Sequence, residues 1–505
     1  MFEDESLDSV TVGSEWRSSQ QATLQARSCQ TEAVHISDAG LQTWFAASTF
    51  TQTEPQEPTA DLNLQQHPDE PDPPGLLDFL QRTEDLIIRE LVINSRSHAF
   101  DGYQADWDNH SQRISCLHRL QNLSAQEKNL HVSSVSWNCT GSVLVCAYGR
   151  TNDGDWTNEK SCVCLWNLDR RNLNPKQADL VLDVPTTVTS VCCHPNHPAL
   201  IAGGLYNGEV VVWDTSRTQD PVLAQTGLCA EGHREPVFQV SWVPLQRRGE
   251  FGLVSSSSGG GVLLWRVGSD RTGLVLDSGY AFIQQQIPNS GRTSMKVQGS
   301  STVGVTTLAL SPWDPDTFLV GSEGGLLLRC SFSSQTPAAV PTEDRTVGLK
   351  APAVFSFRPS SGPVHSIHCS PFHRNLFVSA GTEGLVHVHS LLQADPVLSV
   401  RVSDSYLFQA QWSPSRPLVF AATTGHGPVH IFDLARPSLR AAATIEDSEA
   451  DCATTCLAFN HHNPWLLAAG RSDGSVGVWR LSSDLVDLGP TEMAQLEQIA
   501  NQVSE

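Results

Sequence analysis

Short apolar runs separated by turn residues recur along the chain from about residue 132 onward. Residues 188–215 show the pattern best, with two apolar runs flanking the pair Asn207-Gly208, a strong hairpin signal. The runs on either side of this pair are apolar continuously, as in strands whose two faces are both covered. The segment therefore predicts three short strands that pack between further copies of the same unit.

Six further copies are present at residues 132–168, 237–267, 305–332, 364–391, 407–434 and 455–481, and the last five have a glycine before the third run. The aligned third-strand residues, 43 to 64 positions apart, are Trp166, Trp213, Trp265, Arg329, His389, Phe432 and Trp479. In the fourth copy the turn is assigned to Gly324. The shorter steps match the period of a propeller blade. Because such sheets cannot bury their faces alone, the pattern predicts an all-β, seven-bladed β-propeller.

The ends of the propeller are predicted at residues 113 and 482. Residues 113–120 read as a strand that completes the last blade and closes the ring, or alternatively as a strand of the first blade. An insertion after Trp265 begins with the outer-strand candidate at residues 280–288, and a mobile loop is expected to follow. Residues 98–112 form a linker, and residues 483–505 form an acidic, weakly helical tail without an assigned role.

Residues 74–97 follow the helical period instead. Their broad apolar face comprises Leu76, Leu77, Phe79, Leu80, Leu86, Ile87, Ile88 and Leu91, with Ile93 at its end. An amphipathic helix outside the repeats needs something to cover this face. It either packs on the propeller or docks into a groove of another subunit.

Residues 1–73 are rich in Ser, Thr, Gln, acidic residues and Pro, which predicts a segment that is disordered on its own. Two short stretches place Gln-Thr after a small or β-branched residue: Ser28-Cys29-Gln30-Thr31 and Thr51-Gln52-Thr53. Residues 41–43 are a weaker third instance. Such stretches can add as an edge strand to the sheet of a partner, with side chains filling alternate pockets. The alternative is a merely soluble linker.

The net charge is −22, and 14 of the 54 acidic residues but 2 of the 32 basic ones lie in the first 80 positions. This balance argues against nucleic acid or an anionic membrane as the main partner. No signal peptide and no membrane-spanning apolar run is recognised, so a cytosolic or nuclear protein with 13 reduced cysteines is expected.

Candidate chemistry is sparse. The nearest approach to a metal-ligand cluster, His365 with His368 and His387 with His389, is better explained as strand histidines beside blade turns. Residues 259–261 form a glycine run that fits a hairpin turn better than a phosphate loop. We therefore expect no catalytic residues, no metal and no cofactor.

Some residues link the repeats to a known family. Trp213-Asp214 is a Trp-Asp pair, Phe432-Asp433 and Trp166-Asn167 are variants of it, and Gly232-His233 is the one good Gly-His lead. These are degenerate WD repeats in which the usual polar network is mostly missing, so packing must do more. With the acidic tail, its TQT-like motifs and the amphipathic helix, the chain resembles dynein intermediate chains. The extension at 167–179, the AFIQQQIP insertion and residues 322–325 are most similar to those of dynein-2, the motor of retrograde intraflagellar transport.

The resemblance implies several partners. The dimeric hub light chain would bind at Ser28, Cys29, Gln30 and Thr31 and at Thr51, Gln52 and Thr53, although Cys29 departs from the TQT motif. A roadblock-type light chain would bind the helix, and a Tctex-type light chain is a further implied partner. The propeller would grip the dynein-2 heavy chain, and the light chains would clamp the subunit to a second dynein-2 intermediate chain.

The resemblance also implies a non-catalytic role in cilium assembly and a location in the cytoplasm and cytoskeleton, at the cilium, ciliary axoneme, basal body or centrosome. The alternative is a WD-repeat substrate adaptor or scaffold, for example of a ubiquitin ligase, that uses the central face of the propeller. Such an adaptor would not need a tail with TQT motifs.

Overall fold

The computed structural model describes residues 75–96 and 114–502, the latter with gaps at 151–159, 218, 246–248, 269–272, 289–301, 341–346, 437–439 and 447–451. The chain divides into two units, residues 1–109 and 110–505. The first contains helix α1 (Leu76–Arg96). It begins after Gly75, whose φ of +97° suits glycine, and Asp78 in its first turn complements the helix dipole.

The described residues of the second unit form seven sheets, antiparallel except for one short parallel pair in the third, which confirms the predicted seven-bladed propeller. Blade 1 consists of β2 (His131–Trp137), β3 (Val143–Gly149), β4 (Ser161–Asn167) and β5 (Leu180–Val184). Blade 2 consists of β6 (Val188–Cys193), β7 (Leu200–Leu205), β8 (Val210–Asp214) and β9 (Val222–Gln225). Blade 3 consists of β10 (Val237–Pro244), β11 (Phe251–Ser257), β12 (Gly261–Val267) and β13 (Leu274–Ala281), with a fifth strand, β17 (Leu349–Lys350).

Blade 4 consists of β14 (Val305–Leu310), β15 (Thr317–Ser322), β16 (Leu327–Ser331) and β18 (Ala353–Ser356). Blade 5 consists of β19 (Val364–Cys369), β20 (Leu376–Gly381), β21 (Leu385–Ser390) and β22 (Leu398–Arg401). Blade 6 consists of β23 (Leu407–Trp412), β24 (Val419–Thr424), β25 (Val429–Asp433) and β26 (Ala443–Ile445). Blade 7 consists of β27 (Thr454–Phe459), β28 (Leu466–Arg471), β29 (Ser475–Leu481) and β1 (Ile114–Gln121).

Strand β1 closes the ring, as predicted for residues 113–120. It pairs antiparallel with β29, from Ile114 opposite Leu481 to Gln121 opposite Ser475. Beyond it, the Asn122 side chain accepts a hydrogen bond from Ser124 N at 3.1 Å and caps the short helix α2 (Leu123–Glu127). The first strand in the sequence is thus the outermost strand of the last blade.

A glycine with positive φ closes the hairpin between the second and third strands in blades 2 to 7. In blade 4 this glycine is Gly325, at +80°, and not Gly324, so the predicted alignment there was wrong by one residue. The residue equivalent to Trp265 is Cys330, not Arg329, because Cys330 lies opposite Phe318 as Trp265 lies opposite Leu253. The prediction chose the first of two adjacent glycines, but the Ser360 carbonyl would lie 2.3 Å from a Cβ on Gly325, so the turn requires glycine at the second position.

Polar side chains on the innermost strands bond to the backbone of the neighbouring blade. Gln239 Oε1 accepts from Leu308 N at 2.8 Å, and Gln409 Oε1 accepts from Leu457 N at 2.8 Å. Other acceptors of this kind are Ser134, Ser136, Ser190, Ser366 and Gln411, at 3.0–3.3 Å. Each such bond contributes about 1 kcal/mol to stability, and losing one leaves a buried N–H unpaired.

A register shift marks the start of every innermost strand. The residues at these shifts include Ser133, Thr189, Phe238, Thr306, His365, Phe408 and Thr455. Four of them carry a hydroxyl that donates to a backbone carbonyl near the start of the next blade: Ser133 to Val188, Thr189 to Val237, Thr306 to Val364 and Thr455 to Val132. Side-chain hydrogen bonds, as well as packed apolar faces, therefore join neighbouring blades of the ring.

Blade 3 keeps the polar staple that the Gly232-His233 lead suggested. His233 Nε2 lies 2.7 Å from Ser255 Oγ, and Trp265 Nε1 donates to the same oxygen at 2.8 Å. In blade 2, by contrast, the Trp213 ring lies against Gly203, where a Cβ would meet it at 2.3 Å. In blade 2 the packing of Trp213 on Gly203 thus replaces the hydrogen bonds that His233, Ser255 and Trp265 make in blade 3, as expected for degenerate repeats.

The outer strand expected at residues 280–288 is confirmed only for Tyr280 and Ala281, which end β13, whereas Gln284–Gln286 form a short 3-10 helix. The Gln286 amide donates to Pro337 O at 3.0 Å and accepts from Ala339 N at 2.9 Å. This amide joins blade 3 to a long connection of blade 4. The loop expected after the insertion falls largely on residues 289–301, outside the described part of the chain.

The segment after β29 differs from the tail that the sequence suggested. It contains helices α3 (Ser483–Val486) and α4 (Glu492–Ala500), and both bury apolar side chains in clusters formed by the blades. The sequence did not predict that this segment packs on the blades, because its apolar stripe is short. The twelve cysteines of the described residues are free thiols.

Gly203→Ala tests whether packing on Trp213 holds blade 2. The new Cβ would fall 2.3 Å from an indole carbon that is buried and cannot move aside, so we expect a loss of about 1–3 kcal/mol in unfolding free energy. Denaturant unfolding of both proteins measures this loss. Gly348→Ala, with nothing within 4 Å of the added carbon, is the control. Equal stability of the two variants would contradict the packing explanation.

Candidate partner-binding sites

Helix α1 presents the apolar side chains that the sequence selected. Phe79, Leu80, Leu86, Ile87, Ile88 and Leu91 are each 47–61% exposed. Leu76 and Leu77 belong to the helix, but their side chains lie outside the described set. An apolar face this exposed is typical of a helix that docks into a groove.

The two TQT-like stretches fall outside the described residues. Ser28, Cys29, Gln30 and Thr31, like Thr51, Gln52 and Thr53, precede residue 75, where the description begins. Their assignment as light-chain sites therefore stays a prediction.

The centre of the ring holds a cavity of about 690 Å³. It is lined by the innermost strands of all seven blades, and the lining side chains include no Asp, Glu, Lys or Arg in the part of the chain that is described. Ser, Thr, Gln and His dominate, and several of these groups already bond to a neighbouring blade. The cavity thus offers a neutral, largely satisfied surface and no cluster of reactive groups.

Histidines of the cavity are held neutral by burial. Burial lowers the pKa of His368 to about 4, with a smaller contribution from His461, and His368 Nδ1 accepts from Trp412 N at 3.2 Å. Burial and the neighbouring His197 likewise lower the pKa of His194 to about 4. Neutral rings act here as hydrogen-bond acceptors between and within blades.

The paired histidines on β21 bond to side chains of their own blade. His387 Nδ1 lies 2.7 Å from Ser399 Oγ and its Nε2 lies 3.4 Å from Glu383, whereas His389 Nε2 lies 2.9 Å from Ser379 Oγ. Within the described ranges, no group of three or more His, Cys, Asp or Glu side chains could hold a metal ion. None of the helices in those ranges is long and apolar enough to cross a membrane.

Comparisons with known proteins agree with this architecture. Residues 181–214 and 443–480 match the family described as WD domain, G-beta repeat. Cytoplasmic dynein 2 intermediate chain 2 of Mus musculus is 46% identical over 505 residues, which covers 100% of this chain and 93% of that protein. The Homo sapiens protein of the same name is 44% identical over 504 residues, with the same coverage. The chain belongs to the cytoplasmic dynein 2 intermediate chain 2 family.

More distant dynein intermediate chains match over part of the chain. Dynein axonemal intermediate chain 4 of Mus musculus is 25% identical over 402 residues, 72% of this chain and 43% of that protein. The family resemblance expected from the sequence is thus confirmed. The two WD matches each begin in or beside the outer strand of one blade and end with the third strand of the next, which is how the repeats of this dynein intermediate chain interlock.

The structure adds residues that the motif search on this dynein intermediate chain missed. Arg416 is 6% exposed and lies between Asp433 and Glu492, and the side-chain acceptors Gln239 and Gln409 join blades. The two glutamines could have been recognised from the sequence, since each occupies the third position of an innermost strand. Arg416 had no such signal, because its carboxylate partners come from distant parts of the sequence.

His368→Asn tests the neutral acceptor in the ring. Because the pKa of His368 is about 4 in the folded protein against about 6.5 in the unfolded one, its contribution is complete above pH 6.5 and is lost as the pH falls towards 4. The loss amounts to about 3 kcal/mol at most. Asparagine can accept the Trp412 N–H without titrating.

Unfolding free energies measured between pH 8 and pH 4 should therefore fall less steeply for His368→Asn than for the unmodified protein. A comparable stability of the two proteins at pH 8 is the control for packing damage. An unchanged slope below pH 6.5 would show that His368 does not titrate as described.

Proposed function

We propose that this chain is a non-catalytic intermediate chain of the dynein-2 motor. Its N-terminal region binds light chains, its propeller binds the tail of the dynein-2 heavy chain, and the subunit supports retrograde intraflagellar transport and cilium assembly. The observation that carries the proposal is an exposed apolar helix outside a complete propeller, in a chain 46% identical to a dynein-2 intermediate chain over its whole length.

Light-chain binding accounts for the two segments ahead of the propeller. The face of α1 that contains Leu80, Ile87 and Leu91 is suited to the groove of a roadblock-type light chain. The stretches ending at Thr31 and Thr53 suit β-augmentation on the hub light chain. Since the hub is a dimer, two stretches in one chain gain from high effective concentration. A Tctex-type light chain is a further partner, and the light chains together would join this subunit to the second dynein-2 intermediate chain.

The propeller is the proposed binding site for the heavy chain. Its neutral central cavity has no charged lining residue among those described, which favours a scaffold over an enzyme. The proposed location follows from the motor: cytoplasm and cytoskeleton, and within the cilium the axoneme and basal body.

The TQT-like motifs are tested by replacing Gln30, Thr31, Gln52 and Thr53 with alanine. Backbone pairing alone lacks the side chains that fill the pockets, so capture of hub light chain should be abolished. Association with the heavy chain should be weakened but retained. Changing one motif alone should weaken the apparent affinity by roughly tenfold or more, since avidity is lost. Co-purification and titration with purified hub light chain measure both effects.

The matched control changes four glutamines outside the motifs, Gln20, Gln21, Gln65 and Gln66, to alanine. It should capture hub light chain like the unmodified protein. Normal capture by the motif variant would mean that these stretches are not the binding sites.

The helix is tested with the double variant Leu80→Asp and Ile87→Asp. Two carboxylates on the apolar face cannot enter an apolar groove, so binding of a roadblock-type light chain should be lost. The melting temperature of the propeller should stay unchanged, because both side chains are about half exposed.

Arg82→Asp with Arg89→Asp places the same two acids, at the same spacing, on the polar face of α1 and should leave binding intact. A lower melting temperature in the Leu80 and Ile87 variant would instead mean that the helix stabilises the propeller. Retained binding in that variant would remove the helix from the proposed site.

A further inference from the structure

The C-terminal segment, residues 483–502, bridges three successive blades. Leu485 and Val486 of α3 are buried in the apolar cluster between blades 6 and 7. Leu496 and Ala500 of α4 are buried in the cluster between blades 5 and 6. The segment therefore covers two interfaces of the ring, the one between blades 5 and 6 and the one between blades 6 and 7.

An ionic contact fixes the segment between these two apolar anchors. The Arg416 side chain is 8% exposed, and the Glu492 side chain is 6% exposed. Arg416 Nε donates to Glu492 Oε2 at 3.2 Å, and Arg416 Nη2 donates to both Glu492 Oε1 and Asp433 Oδ2. Arg416 Nη1 also donates to the carbonyl of Asp484. Two-pronged contacts of this kind are directional, and removing one buried partner is costly because it leaves the other charge uncompensated.

The same segment covers the start of the closing strand. Ile114, the first residue of β1, packs against the cluster that contains Leu485 and Val486. Ile114 also lies opposite Leu481, two residues before α3 begins. An edge strand peels from its ends, so the cover over Ile114 lies where β1 would first open.

We propose that residues 483–502 are a latch, which pins the N-terminal end of β1 and holds blades 5, 6 and 7 together. The ring is then closed from both ends of the chain. The ladder of β1 on β29 joins the ends, and the latch keeps that ladder from opening at Ile114.

Hydrogen exchange of two truncated chains tests the latch. A chain ending after Leu488 lacks α4 and Glu492, and its amides in β20 to β25 should exchange about tenfold faster or more. A chain ending after Ser482 also lacks α3, and faster exchange should extend to β1. Strands of blades 2 and 3 are the internal control and should keep their rates. Unchanged exchange in β1 and in blades 5 and 6 would overturn the proposal.

Point variants keep the test valid if a truncated chain does not fold. Leu485→Ala should speed exchange in β1, and Leu496→Ala should speed it in blades 5 and 6. Met493→Ala, at a position of α4 that is 46% exposed, is the matched control and should change neither. If Leu485→Ala left β1 unaffected while Leu496→Ala acted as expected, α3 would not be part of a latch.

Discussion

The ladder between β1 and β29 is the contact on which the propeller depends. Six blades are built from strands that are near one another in the sequence, with β17 added to blade 3 from the connection within blade 4, but the seventh takes its outer strand from the opposite end of the domain. Bringing these ends together closes a loop of about 350 residues, which costs on the order of 5 kcal/mol because the cost grows only with the logarithm of length. The ladder from Ile114 to Gln121 and the burial of Leu120 offset that cost. They add to the direct contacts between blades 1 and 7, such as the bond from Trp137 Nε1 to Ala458 O.

Bonds around the channel make the closed ring specific, and they are unevenly distributed. Four blades use a hydroxyl at the register shift of the innermost strand, whereas blades 3, 5 and 6 carry Phe238, His365 and Phe408 there. In blades 3 and 6 a glutamine further along the innermost strand bonds to the next blade instead. Gln239 Oε1 and Gln409 Oε1 each accept a hydrogen bond from a backbone N–H of that blade. The bonds use backbone groups that every sequence provides, so degenerate repeats can keep a regular ring.

The sequence predicted the parts of this fold that are governed by local rules. Seven apolar units, their glycine turns and the closing strand follow from period, turn chemistry and the need to cover sheet faces. Where two glycines were adjacent, at Gly324 and Gly325, local rules left two registers equally good, and a carbonyl from a distant loop decided. The C-terminal helices were missed for a related reason. Leu496 and Ala500 form a stripe too short to predict packing, and Arg416 lies 76 residues before its partner Glu492.

The N-terminal segments, unlike the C-terminal helices, could be predicted as binding sites from the sequence. Their composition provides nothing of their own to cover the apolar face of α1 or to pair with the polar stretches. A broad apolar face on α1 and Gln-Thr pairs in a polar tail conflict with a self-contained fold, and such conflicts mark functional segments. Their position in the sequence has a mechanical consequence under the proposed function. Any load on the light-chain sites reaches the propeller through residue 114, at the end of its outermost strand. A strand loaded at its end opens one pair at a time unless that end is held, so the packing of the partly buried Ile114 against residues from the other end of the domain affects how firmly the light chains and the propeller stay connected.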